Sequence, residues 1–116
     1  MENPDHKIKN RKRIGYYLRV LNPIDETLIG YLVDFTDNGL IIISSQQLDV
    51  YRRYSLKIML PERIKQFDSF TFEARCISKR EENRSGYYMV GFEFVEISHE
   101  NLELISLLMS QFGILE

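Results

Sequence analysis

The segment Asp34-Phe35-Thr36-Asp37-Asn38-Gly39 brings a carboxylate, a hydroxyl and a bare backbone within six residues of one another. Together they offer an acceptor, a donor and a place where a ligand can approach the main chain. Gly39 can take φ > 0. Asp34 and Thr36, two apart, would share one face of a continuing strand. The same residue types are ordinary turn formers, because Asp, Thr and Asn side chains hydrogen-bond nearby backbone. On spacing alone, a ligand-binding turn and a purely structural one both stay open.

The elements that must hold this segment are short strands. Leu28 to Phe35 and Leu40 to Ile43 flank the turn, both rich in β-branched and apolar residues. Tyr16 to Leu21 reads as a first strand closed by Asn22-Pro23. Tyr54 to Leu60 alternates apolar and polar residues and is stopped by Pro61. Phe70 to Ile77 alternates again, and a polar hairpin tip, Lys79 to Gly86, leads into Tyr87 to Val95. Six strands with a period of two predict a small antiparallel barrel or sandwich. The period then changes. Ser98 suits an N-cap, Leu102, Ile105, Met109 and Phe112 recur at helical spacing, and Gly113 fits the position past a helix end.

A chain of 116 residues, 44% hydrophobic and 28% charged, is a single globular domain with one core. No stretch approaches the roughly 18 apolar residues of a membrane span, and the polar N-terminus lacks a secretory core. The single cysteine, Cys76, shares an alternating face with Phe70, Phe72 and Ala74, so it reads as a small core residue in a cytoplasmic protein. His6 and His99 are scattered, and no metal-ligand spacing, Gly-rich phosphate loop or nucleophile triad is present. An enzyme is not expected, and neither is a metal or a resident cofactor.

Charge is unevenly spread. Residues 1–13 carry Lys7, Lys9, Arg11, Lys12 and Arg13 against Glu2 and Asp5, a net of +3 that leaves −5 on the remaining 103 residues. Residues 1–13 therefore read as a flexible basic arm suited to meeting an anion, and residues 14–116 as the folded domain. An acidic body argues against DNA or RNA as the partner.

The chain resembles the PilZ domain family, bacterial modules best known as receptors for cyclic-di-GMP. The family carries Arg-x-x-x-Arg near its N-terminus and, roughly twenty residues later, Asp/Asn-x-Ser-x-x-Gly between two barrel strands. Asp34-x-Thr36-x-x-Gly39 matches the second motif with Thr for Ser. Met59-Leu60-Pro61, Val90 to Val95 and the C-terminal helix follow the family pattern as well. The first motif is degraded to Lys9-x-x-x-Arg13, with Lys7-x-x-x-Arg11 beside it. A different register sets Arg19 at the second arginine and Gly15 at the first. The literal match, Arg80 to Arg84, falls in the expected hairpin tip and is set aside as chance.

The resemblance implies a mainly β fold, a six-stranded antiparallel barrel with one C-terminal α-helix. It implies cyclic-di-GMP as a regulatory ligand, held by Lys9, Arg11, Arg13, Asp34, Thr36 and Gly39, with the signal relayed to a protein partner. The alternative is a degenerate domain that acts as a protein–protein adaptor without nucleotide. Lysine keeps the charge of the missing arginine but loses its planar fork.

Overall fold

The computed structural model describes residues 12–14 and 17–115, with side chains from 17 to 112. Strands β2 (Arg19–Leu21), β3 (Leu28–Phe35), β4 (Gly39–Ser44), β5 (Arg53–Ile64), β6 (Phe67–Glu81) and β7 (Tyr88–Glu96) pair in the order β2-β5-β6-β7-β4-β3. A further pairing of β3 with β2 closes them into a six-stranded antiparallel barrel. Two three-residue strands extend the sheet beyond β3: β1 (Lys12–Ile14) pairs with β3, and β8 (Gly113–Leu115) pairs with β1. Helix α1 (His99–Phe112) precedes β8.

Alternation explains the barrel. Leu56 and Ile58 on β5, and Phe70, Phe72, Ala74 and Cys76 on β6, point inward and are buried, while Ser55, Lys57, Thr71 and Glu73 between them point outward. The rings interlock: Phe72 meets Phe94 edge-on at 5.2 Å, and Tyr54 meets Phe92 at 6.0 Å. Phe72 and Phe92 are both core residues, as the alternation requires. Burial pushes the Cys76 thiol above its ordinary pKa, which suits a packing role.

The helix begins as its sequence indicates. The Ser98 hydroxyl accepts from the Asn101 N–H at 3.0 Å, and Glu100 sits in the first turn, where a negative charge suits the helix dipole. Its buried stripe is centred on Leu104 and Leu108, with Ile105, Met109 and Phe112 beside them. Leu102, expected in that stripe, is 44% exposed.

Other expectations move. Pro61 does not stop β5. The strand runs on to Ile64, but its ladder with β6 skips from Met59 to Ile64, so the missing proline N–H falls where pairing is already broken. The hairpin then turns on Lys65 and Gln66, both left-handed at φ 52° and 69°. Lys65 is anchored by a 2.9 Å ion pair to Glu103 of α1. Strand β6 continues to Glu81, so Lys79 and Arg80 belong to a strand rather than to a hairpin tip. The arm expected over residues 1–13 lies outside the described residues up to residue 11, and Lys12 and Arg13 are in β1.

Candidate functional site

Of the register shifts among the described strands, those at Val33 and Ile77 bear on the outer surface beside the turn. On β3, Leu32 faces Ile42, yet Asp34 faces Ile41, so Val33 is an extra residue. Without it Asp34 would follow Leu32, two residues earlier, into the core. With it Asp34 shares the outer side of Ile41. On β6, Cys76 faces Phe92 and Ser78 faces Gly91, so Ile77 is the extra residue. Cys76 stays inside, whereas Ser78 and Arg80 are turned outward.

The result is a pair of transverse rows. One runs Arg13, Asp34, Ile41, Gly91, Ser78 across β1, β3, β4, β7 and β6. The other runs Arg19, Tyr31, Ile43, Met89, Arg80 across β2, β3, β4, β7 and β6. Tyr17, Tyr31, Val33, Ile43 and Met89 line an apolar hollow of about 460 Å³. A second hollow of about 370 Å³ adjoins it at Met89 and is lined by Ile41, Ser78, Lys79, Arg80 and Gly91. Tyr17 is 76% exposed at the edge of the first. Apolar side chains in the middle, with Arg19 and Arg80 at the two ends of the second row, suit a flat ligand with polar edges.

The expected site residues fall into three groups. Lys9 and Arg11 lie outside the described residues. Arg13 and Asp34 come together as register partners of β1 and β3, and Asp34 is only 2% exposed, although it lies on the outer side. Thr36 and Gly39 form the turn itself: the Thr36 N–H donates to the Gly39 carbonyl at 2.9 Å. Strand β3 ends at Phe35, so Thr36 does not continue the face of Asp34.

Gly39 does not take the positive φ expected of it; among the described glycines only Gly86 does. Its need for glycine comes from close packing. A Cβ there would stand 1.8 Å from the Phe92 carbonyl oxygen and 2.8 Å from the Glu93 Cα. The adjacent Asn38 carbonyl accepts from the Phe94 N–H at 2.7 Å, fastening the turn to β7.

Sequence reasoning missed Tyr31, Ile43, Met89, Ser78, Arg80 and Gly91 as a surface. The outward positions of β3, β4 and β7 are apolar where a solvated face would be polar, and that was the signal available. Among the described residues no group of three His, Cys, Asp or Glu side chains could hold a metal, and no helix is long and apolar enough to cross a membrane.

A closed barrel with a terminal helix, carrying its hollows on the outside of the sheet, defines a small barrel domain of the β class. The family model for the PilZ domain matches residues 9–111, and the chain belongs to that family. No curated protein and no solved structure gives a match to the chain. PilZ domains are binding and adaptor modules of cyclic-di-GMP signalling.

Proposed function

We propose that this PilZ domain is a non-enzymatic cytoplasmic signalling module that binds cyclic-di-GMP on the outer face of its barrel and relays it to a protein partner. The ligand residues are Lys9, Arg11, Arg13, Asp34, Thr36 and Gly39. The observation that carries this is the bulge at Val33, which sets Asp34 on the side of Ile41 and in register with Arg13, a place where its carboxylate is covered, at 2% exposure, and is uncovered when the ligand binds. A carboxylate there can accept from the N–H edge of a guanine, and arginine can clamp a phosphate or read a base. The apolar hollow beside them gives a base a face to lie on.

That same hollow supports a second use. Tyr17 and Tyr31, both exposed, form with half-buried Met89 an apolar surface of the kind that anchors a partner protein. An adaptor without nucleotide would use it directly.

Calorimetric titration separates the two. Cyclic-di-GMP is expected to bind saturably, and Asp34→Ala to weaken binding by about 1–3 kcal/mol through unpaired guanine donors. Lys9→Ala should cost about 0–1 kcal/mol, the worth of an exposed ion pair. Equal losses would mean that charge alone holds the ligand. Absence of heat at high micromolar ligand would leave the adaptor. A melting curve of free Asp34→Ala identifies any loss that comes from unfolding.

A further inference from the structure

Arg80 and Ser78 lie outside the PilZ motifs, and Gly91, although within the Val90–Val95 family pattern, lies outside the Asp34–Gly39 turn; all three share the outer rows with Asp34 and Met89. We infer that they form a guanine subsite of this chain's own, in which Arg80 reads the base edge; this rests on the cyclic-di-GMP binding proposed above.

The geometry supplies each part. The extra residue Ile77 turns the strand so that Ser78 and Arg80 face outward. Ile41 and Met89 provide an apolar floor, and methionine makes favourable contacts with an aromatic face. Gly91 opposes both Ile41 and Ser78. A Cβ on Gly91 would come 2.6 Å from the Ser78 Oγ, so the bare backbone leaves the hydroxyl its place beside the hollow.

Arg80 is accessible. Its side chain is 78% exposed, and its contact is a 3.0 Å ion pair with Glu82 two residues on. An ion pair of that exposure is weak and can be exchanged for a ligand. Lys79, by contrast, holds its ammonium 5.3 Å from the centre of the Tyr88 ring. The guanidinium fork beside the hollow is that of Arg80, whose Nε and Nη2 both donate to Glu82 and would exchange that partner for a ligand.

Guanine and adenine differ where Arg80 would reach. Guanine offers the N7 and O6 acceptors to a guanidinium fork, whereas adenine offers N7 beside the N6 amino donor. An arginine here discriminates for guanine. It also returns to the site the planar fork that Lys9 lacks at the family's first arginine.

The test is calorimetric titration of cyclic-di-GMP and cyclic-di-AMP into the wild type, Arg80→Gln and Gly91→Ala. The wild type should favour cyclic-di-GMP. Arg80→Gln should lose about tenfold or more in affinity for cyclic-di-GMP and little for cyclic-di-AMP, so that selectivity shrinks. A merely structural role for Arg80 would leave that ratio unmoved. Gly91→Ala should weaken both ligands, with its fold checked by circular dichroism. Wild-type affinity and selectivity in Arg80→Gln overturn the subsite while leaving cyclic-di-GMP binding intact. No binding by the wild type removes the proposed function, and the subsite with it.

Discussion

Asp34 and Ser78 stand in one row on the outside of the barrel, separated by Ile41 and Gly91, and each is there because an extra residue in its own strand reverses the alternation. Bulges are enriched where a sheet must re-aim a side chain. Here they re-aim polar groups on both sides of an apolar floor, so the two halves of the face depend on the same device.

The turn of the PilZ motif has a structural duty that can be measured apart from any ligand. Gly39→Ala should destabilise the free protein by about 1–3 kcal/mol, because the new methyl meets the Phe92 carbonyl and β7 must move. Chemical denaturation of the free variant gives this directly. An unchanged midpoint would mean that β4 and β7 can separate there without cost.

The β5–β6 hairpin carries the opposite opportunity. Gln66 is held at φ 69°, a conformation that costs a side-chain-bearing residue roughly 1 kcal/mol and glycine almost nothing. Gln66→Gly should raise the melting temperature by about 4 °C. Lys65 is left in place in this variant, so its pair with Glu103 is preserved.

Much of this fold was legible in the sequence. The bounds expected for β3 coincide with those observed, those of β7 differ by one residue at each end, and the Ser98 cap sits where Ser98 was read. The misses share a cause. Pairing register is a property of two strands, and nothing local in Ile77-Ser78-Lys79-Arg80 marks Ile77 as a bulge. Arg80 was therefore assigned to a loop. Lys65-Gln66 lacks the Gly or Asn that announces a tight hairpin. β1 and β8 are three residues long, too short for any period to show. At the site, Asp34 and the turn were legible by motif, while the apolar floor came only from seeing which sides of β3, β4 and β7 faced out.

Acid should weaken the fold through two surface pairs. The Lys57 ammonium donates to Glu26 and the Lys65 ammonium to Glu103, and each holds its glutamate below the ordinary carboxylate value. A folded pKa below the unfolded one gives stability that is present above about pH 4.3, the ordinary glutamate value, and is lost as pH falls through the folded pKa. Melting temperatures of Lys57→Met and the wild type should therefore converge at low pH and differ at neutral pH. A gap independent of pH would assign the loss to packing of the Lys57 stem instead.

Lys9→Arg should strengthen cyclic-di-GMP binding, because it sets an arginine four residues before Arg13 and restores the family spacing ahead of Asp34. A guanidinium gains the fork that an ammonium lacks, and charge-assisted bonds of that kind contribute roughly 1.5–3 kcal/mol each. Even the lower figure is about tenfold in affinity. If both versions stay silent at high micromolar ligand, the arm was not the obstacle, and a pull-down for a protein partner becomes the next step.

The central claim is that the outer face spanning Asp34, Ile41 and Gly91 receives cyclic-di-GMP, and amide chemical shifts report on it residue by residue. In a titration of isotopically labelled protein, saturable shifts are expected at Asp34, Thr36, Gly39, Ile41, Ile43, Met89 and Gly91, with the outer face of α1 near Glu103 unmoved. Shifts confined to α1, or no shifts at millimolar cyclic-di-GMP, would contradict the claim.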